Sequence, residues 1–406
     1  MFSLYYNNST YLPITNSFHA SMCFPTRAKL FANNLLTTPR TIGVDGIMSY
    51  GGGTGVGLDL PKKSFGEYFE RNHFFLNVPV TSTEKLKNIL PLTLQNALAK
   101  CMNQIKNSKN DPLEHSFHLT KVHNLMNHEL ADYPFNAISL NGKKPDGGFY
   151  NFNDSCSCAA HTSKEAVLRS SLCEFLERQA LVGSWTSRQV RFAIEPTVLL
   201  HATPYATLAE QLLNHGELYI FENNIGLPGY STIIFYFAKS ENDLVQYSVG
   251  SSAGFSLEES LNGSFEELWQ CYLFQYNAEN SKGLADRAGS AYHLSFQACN
   301  HPQIRETIPF LSAQYKTEMR IKNTADMQKL PQYQFKDIVI ELSNITSEIY
   351  YYHHFDKCLG FHYAKLVSPE FFIHMSLEQR LNFDNAYAKR IGLVKETANL
   401  SKIPFP

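Results

Sequence analysis

The chain has 406 residues, 44% hydrophobic and 18% charged, which is enough apolar material for a large core and excludes a disordered tail. Thirty-five basic against 37 acidic side chains leave a net charge of −2, so neither the basic footprint of a nucleic-acid binder nor a polybasic membrane anchor is present. Met1 to Asn8 show no basic patch followed by an apolar run, and the longest apolar stretch, near Ile233 to Ala238, has only strand length, so no signal peptide or membrane span is expected. The eight cysteines are scattered, with Cys156-Ser157-Cys158 the one close pair. That pattern fits a reducing compartment, and a cytoplasmic location is expected.

In chain order, Gly51-Gly52-Gly53-Thr54-Gly55-Val56-Gly57 comes first. It fits neither a P-loop nor a dinucleotide fingerprint. It reads either as backbone amides offered to phosphates or as a flexible turn. Glu84 to Lys100 carries an apolar stripe through Leu86, Ile89, Leu90, Leu94, Ala97 and Leu98 and reads as a helix that Pro91 breaks or kinks. Asn141 to Gly148 carries turn dipeptides. Strands are expected at Leu218 to Glu222, Ser231 to Ala238, Val245 to Gly250, Ile338 to Leu342, Ile349 to His353 and Phe361 to Val367. His353 and His354 then point to opposite faces of one strand, which argues against a joint ligand role. Ser376-Leu377-Glu378-Gln379 resembles a capping box opening one more helix. Strands and helices alternate without βαβ regularity, so the fold class is α+β with mixed sheets, and no linker divides residues 1–406.

Three segments repeat one pattern. Ser64-Phe65-Gly66-Glu67-Tyr68-Phe69-Glu70-Arg71 reads SxxExxER, and Ser171-Leu172-Cys173-Glu174-Phe175-Leu176-Glu177-Arg178 reads the same. Ser264 to Gln270 is a third version in which Gln270 stands for the second acid. A four-position match at a given site is roughly a 1-in-10⁵ event, so the echo is not accidental. Helices near 61–75, 162–185 and 256–276 carry the three copies, the later two opened by capping boxes at Thr162-Ser163-Lys164-Glu165 and Ser256-Leu257-Glu258-Glu259.

Residues at i, i+3 and i+7 share a helix face, so each copy presents two acids, or an acid and an amide, in one stripe. The flanking residues are large and apolar, which pulls these stripes toward the core, and buried acids need a cation. One copy alone would read as a solvated face with local Glu–Arg pairs. Three together point to a nucleotide site in which Mg²⁺ is shared between carboxylates and phosphates and arginines grip phosphate oxygens. Cys156 and Cys158 have no further Cys or His at zinc-finger spacing and read as small residues at a strand end.

The paired Glu-Arg helices, the glycine run before the first, the block Val249 to Gly254 running into Glu267-Leu268-Trp269-Gln270, and the final Ile403-Pro404-Phe405-Pro406 resemble the YcaO family. Within it, the likeness is to the D-subunit class of microcin-type thiazole/oxazole-peptide synthetases. The resemblance runs from about residue 40 to the end. It departs at Gln179, where relatives carry Asp, at Cys271-Tyr272, where many carry a basic residue, and in a tail shorter than PxPxP.

The resemblance implies one composite YcaO-type catalytic unit over 1–406 with a proline-containing tail at 400–406, and ATP and Mg²⁺ as cofactors. Glu70, Glu174, Glu177, Glu267 and Gln270 would form the metal–phosphate shell. Ser64, Glu67, Arg71 and Glu174 would contact the nucleotide, with Arg178 as phosphate clamp or ion-pair partner and the Pro406 carboxylate as base or substrate-positioning group.

The implied reaction converts Cys, Ser or Thr of a ribosomal precursor peptide to thiazoline or oxazoline by phosphorylating the amide oxygen, in a bacterial cytoplasm. The chain is too short to carry the ubiquitin-activating-like, leader-binding partner, which is expected as a separate subunit. An FMN-dependent azoline dehydrogenase would complete the assembly, in which a homodimer of this chain has a place. The alternatives are a YcaO enzyme forming a thioamide or amidine, which the Pro-x-Pro tail disfavours, and a non-catalytic scaffold subunit, which three intact acidic motifs disfavour.

Overall fold

Five strands, β1 (Leu4–Tyr6), β2 (Ser9–Thr15), β3 (Ala20–Pro25), β4 (Arg40–Asp45) and β5 (Tyr50–Gly55), form an antiparallel meander that feeds helix α1 (Asp59–Leu76). The computed structural model describes residues 4–6, 9–15, 20–25, 40–45, 50–55, 59–141, 145–150, 154–280, 291–311 and 320–405. Strand β6 (Ser82–Lys85), helix α2 (Leu92–Ile105), strands β7 (Ser116–Asn124) and β8 (Leu130–Pro134), helix α3 (Phe135–Ile138) and strand β9 (Cys158–His161) lead to the long helix α4 (Lys164–Ser187). Then come β10 (Phe192–Ile194), α5 (Leu199–Ala202), α6 (Ala206–His215), β11 (Gly216–Glu222), β12 (Tyr230–Ala238) and β13 (Tyr247–Gly254), which ends in α7 (Leu257–Asn280). Helix α8 (Ala291–Gln297), β14 (Arg320–Ile321), α9 (Thr324–Gln328), α10 (Phe335–Ser343), the hairpin β15 (Tyr350–Asp356) and β16 (Phe361–Val367), and α11 (Ala386–Arg390) complete the order.

The strands assemble as β1-β2-β3-β4-β5, as β13-β12-β11-β10-β14, and as β6-β7-β15-β16-β9 with β8 on β7. Pairing is antiparallel throughout the described strands except for β10 with β14. This is an α+β fold of packed sheets and helices.

The central sheet explains why β12 reads as a continuous apolar run. Ile233, Phe235 and Phe237 face a core with Leu172, Phe175, Leu176 and Trp185 of α4, whereas Ile234 and Tyr236 face Leu261, Phe265, Leu268 and Trp269 of α7. A strand buried on both faces needs apolar residues at every position. Trp185 is completely buried, and a side chain of that size contributes roughly 2–3 kcal/mol by leaving water.

Glycines set how close helix and strand come. A Cβ on Gly250 would lie 2.1 Å from the Ser264 carbonyl and 2.2 Å from the Leu268 nitrogen. A Cβ on Gly51 would lie 2.5 Å from the Ser64 carbonyl and 2.3 Å from the Tyr68 nitrogen. The glycine run is therefore an edge strand with α1 lying directly on it, neither a turn nor a phosphate loop over residues 51–55; Val56 and Gly57 lie outside the described residues.

Three further expectations are corrected. Glu84 to Lys100 is not one helix: Ser82–Lys85 is strand β6, paired with β7, and α2 starts at Leu92 with Pro91 as its cap. Ile338 to Leu342 is helical, because Phe335, Ile338, Val339 and Leu342 share one apolar face and Gln334 and Asp337 form a capping box. Ser376 opens only a turn, closed by the Gln379 amide on the Ser376 carbonyl at 3.2 Å. The strands expected at 218–222, 231–238 and 361–367 are present within β11, β12 and β16; those expected at 349–353 and 245–250 form as β15, from Tyr350 to Asp356, and β13, from Tyr247 to Gly254.

Candidate functional site

The three motif helices form where the repeat predicted them. Ser163 caps α4 by accepting the Ala166 amide at 3.4 Å, and Ser256 accepts the Glu259 amide at 3.2 Å at the start of α7. The leading serines of all three copies, Ser64, Ser171 and Ser264, are completely buried. Ser171 donates to the Ser157 carbonyl at 2.6 Å and Ser264 to the Thr232 carbonyl at 2.8 Å. Ser64 sits against Gly53. The Ser171 and Ser264 hydroxyls thus join helix to sheet, and Ser64 is packed where α1 lies on β5.

The acids one turn further on face a shared space. The Gly52 amide donates to Glu67 and the Ser251 amide to Glu267, each at 2.7 Å. Arg71 lies 3.4 Å from Glu67 and 3.7 Å from Glu70. Arg178 lies 3.4 Å from Glu177 and 3.7 Å from Glu174. The side chains of Glu70, Glu174, Glu177, Arg71 and Arg178 keep only 11–24% of their surface exposed. Five carboxylates thus gather around two guanidinium groups.

Their electrostatics report the imbalance. Burial pushes the Glu70 carboxyl up to about 8; Arg71 pulls it down while Glu174 and Glu67 push it further up. Burial likewise raises Glu174 to about 7, against the pull of Arg178 and Arg71. Glu177 and Glu267 are also raised, by burial first, and each is offset by Arg178. Both arginines stay firmly charged, because neighbouring carboxylates outweigh the effect of burial.

Gln270 accepts a hydrogen bond from Thr54 of β5 at 3.1 Å, tying α7 to the first sheet. Lys63 and Tyr205 both meet Glu266. The tail threads to the same place: Trp185 Nε1 donates to the Ser401 carbonyl at 2.9 Å and the Tyr247 hydroxyl to the Pro404 carbonyl at 2.7 Å. Phe405 is buried, and its ring lies 5.1 Å from the Arg178 guanidinium carbon. Pro406 lies outside the described residues.

Sequence reasoning missed the support beneath the cluster. Lys365, buried in β16, donates to the Asp154 carbonyl at 2.8 Å and the Ile138 carbonyl at 3.4 Å, and its charge pulls Glu70 down. Asp154 in turn accepts from the Cys156 amide at 2.7 Å and the Met375 amide at 3.2 Å, and Arg178 reaches the Met375 sulfur at 3.6 Å. A lysine inside a predicted strand was the available signal.

The site suits Mg²⁺ with a nucleotide. Arg71 Nε, Arg178 Nε and Glu177 Oε1 are buried without a hydrogen bond, the 3.4 Å contact between the last two being an ion pair off hydrogen-bond geometry. Among the described residues no three of His, Cys, Asp and Glu converge closely enough to hold an ion alone. That donor set fits a hard cation held by one or two carboxylates and completed by phosphate oxygens.

Comparison with known proteins decides the family. Residues 63–372 match the family described as YcaO cyclodehydratase, ATP- and Mg²⁺-binding. The chain belongs to the YcaO family. Its activity is ATP-dependent cyclodehydration, with ATP and Mg²⁺ as cofactors. It is similar to the microcin B17-processing protein McbD of Escherichia coli, 27% identical over 84% of this chain and 87% of that protein. It resembles a chain of the E. coli microcin synthetase McbBCD complex, also solved with pro-MccB17 bound, with a TM-score of 0.82, 25% identity, and coverage of 98% of this chain and 100% of that one. YcaO from Methanopyrus kandleri, solved with AMPPCP and Mg²⁺, shares the fold alone, at 11% identity, 85% of this chain, 86% of that one and a TM-score of 0.59. No helix among the described residues is long and apolar enough to cross a membrane.

Proposed function

We propose that this chain is the cyclodehydratase subunit of a cytoplasmic, multi-subunit synthetase that turns Cys, Ser or Thr of a ribosomal precursor peptide into thiazoline or oxazoline. Two further subunits are its partners: a ubiquitin-activating-like protein that grips the leader of the precursor, and an FMN-dependent dehydrogenase that aromatises the rings. The observation that carries this reading is the convergence of Glu67, Glu70, Glu174, Glu177 and Glu267 around Arg71 and Arg178. The relatives that process microcin B17 support ring formation over thioamide or amidine chemistry and over a silent scaffold.

Bound with Mg²⁺, ATP supplies a phosphoryl group that turns an amide oxygen, a very poor leaving group, into a good one. The peptide's own thiol or hydroxyl adds to the preceding carbonyl carbon, and that oxygen departs as phosphate when the C=N bond forms and the amide proton is lost. The chain's share is positioning and charge neutralisation. Glu70, Glu174, Glu177, Glu267 and Gln270 would hold Mg²⁺ directly or through water. Arg71 and Arg178 would take phosphate oxygens with their forks, and Glu67 orients Arg71 while tethered to Gly52. Ser64, packed where α1 lies on β5, would contact the nucleotide with Glu67 and Arg71. The tail beyond Phe405 would bring the Pro406 carboxylate to the reacting amide as base or positioning group.

The test is thermal unfolding with and without Mg²⁺-ATP, for wild type and Glu70→Gln, followed by mass spectrometry of precursor peptide incubated with the assembled synthetase. A nucleotide at a hundred times its dissociation constant stabilises by about 2.7 kcal/mol. The expected result is a Mg²⁺-dependent shift that the variant loses, together with loss of one water per ring from the peptide. A shift without any mass loss would leave a nucleotide-binding scaffold.

A further inference from the structure

A cavity of about 560 Å³ opens at the N-terminal ends of α4 and α7. Four apolar or aromatic side chains line it: Leu168 from α4, Phe255 after β13, Tyr333 before α10 and Phe335 at its start. Arg169 and Glu259 line it as a bidentate pair of 2.5 and 2.7 Å, and the guanidinium lies 4.3 Å from the centre of the Phe255 ring. The charges of that pair cancel within the wall. Gln332 and Gln334 add neutral amides, and Glu165 at the rim accepts from Ser163.

The cavity and the site share two helices, α4 and α7. Arg169 to Glu177 on α4 and Glu259 to Glu267 on α7 are each eight positions (177 − 169 and 267 − 259), about 12 Å of helix. The cavity therefore lies about two turns from the acids along the same two helices.

We propose that this cavity is a specificity pocket for an apolar or aromatic side chain of the substrate peptide. An extended peptide advances about 3.3–3.6 Å per residue. The residue it seats stands three or four positions from the one whose amide lies at the carboxylates. The inference rests on the peptide-modifying function proposed above and adds a sequence preference to it. A nucleotide base is the competing occupant, since aromatic walls also stack bases. A base placed there would lay its α- and β-phosphates past Cys173 and Gly263, where neither helix offers a cation, while Arg71 is on α1 and Arg178 stands beyond the acids. A neutral peptide backbone has no such need.

The experiment measures binding of two synthetic nonapeptides, Ac-FGGGCGGGF-NH₂ and Ac-AGGGCGGGA-NH₂, by calorimetry with Mg²⁺ and saturating AMPPCP. Wild type is expected to bind the phenylalanine peptide at least tenfold more tightly. Leu168→Ser and Phe335→Ala should each cut that preference below threefold and leave AMPPCP affinity unchanged. Equal affinity of wild type for both peptides, or no measurable binding of either, overturns the pocket. Lost AMPPCP affinity with an intact peptide preference assigns the cavity to the nucleotide and overturns it too. Failure of wild type to bind AMPPCP at all sinks the ATP-dependent reading instead, so the two failures are distinct.

Discussion

The amide of Gly52 and the carboxylate of Glu67 meet at 2.7 Å, and the amide of Ser251 and the carboxylate of Glu267 repeat that bond at the same distance. Strand β5 with α1 and strand β13 with α7 are thus two copies of one strand–helix unit, each anchoring a motif glutamate on the main chain of an edge strand. The copies differ where the chemistry differs: Glu70 and Arg71 in the first correspond to Gln270 and Cys271 in the second. A tethered carboxylate can neither swing away nor pair freely, which keeps the cluster acidic at its centre.

Close approach of helix and strand makes the shared glycines intolerant. Gly250→Ala drives a methyl group into the Ser264 carbonyl and the Leu268 nitrogen, both backbone atoms that cannot rotate aside. The expected loss is about 3 kcal/mol or more, read by urea denaturation. A loss below about 1 kcal/mol would show that α7 can lift off β13 and that the Ser251–Glu267 tether is loose.

The carboxylate cluster should make stability depend on pH in an unusual direction. Glu70 and Glu174 titrate near 8 and 7 when folded, against an ordinary value of 4.5. The folded state holds these protons more tightly, so their contribution is full below about pH 4.5 and is lost as pH rises through 7 to 8. Metal-free protein should therefore fall in Tm between about pH 6 and pH 8.5. Glu70→Gln should be more stable than wild type at pH 8, on the order of 1–3 kcal/mol, while Mg²⁺ with AMPPCP should stabilise wild type more at pH 8 than at pH 6. A metal-free Tm that is flat or rising over this range would mean that the acids are solvated.

What could be read in advance follows from how locally each feature is encoded. The motif helices were legible because SxxExxER recurs on an apolar period and Ser163 and Ser256 announce two of the starts. Strand β5 was not, since glycine has no strand preference and the reason for Gly51 and Gly53 lies in Tyr68 and Ser64 on another element. Helix α10 was misread because Ile338, Val339 and Ile340 are strand formers, and the capping box at Gln334 and Asp337 outweighed them. Lys365 showed only as a lysine inside a predicted strand; its role was not legible, because its neighbours Ile138 and Asp154 are brought to it by the fold alone.

The tail offers a separation of binding from turnover. Phe405 packs near Arg178 while Trp185 and Tyr247 hold the carbonyls of Ser401 and Pro404. Phe405→Ala removes the buried ring that pins the end of the chain. Ring formation should fall at least tenfold, with the dissociation constant for Mg²⁺-AMPPCP within threefold of wild type. Tyr247→Phe removes one hydrogen bond, worth about 1 kcal/mol, and should move turnover the same way by less. Loss of nucleotide affinity in Phe405→Ala would instead assign the tail to the grip of Arg178 on phosphate.

Lys365 should act on the site through charge as well as packing. It is 5% exposed, donates to two backbone carbonyls and lowers Glu70. Lys365→Met leaves those carbonyls without their donor, at a cost of about 1–3 kcal/mol, and removes the one cation that β16 sends toward Glu70. The Glu70 carboxyl should then hold its proton to higher pH, and the pH at which Mg²⁺-AMPPCP begins to stabilise the protein should move upward. Lys365→Arg keeps the charge and should leave that pH in place even if the larger side chain destabilises the fold. If Lys365→Met loses stability but keeps the pH dependence of nucleotide binding, the lysine is a packing element only, and Arg71 alone sets the charge state of Glu70.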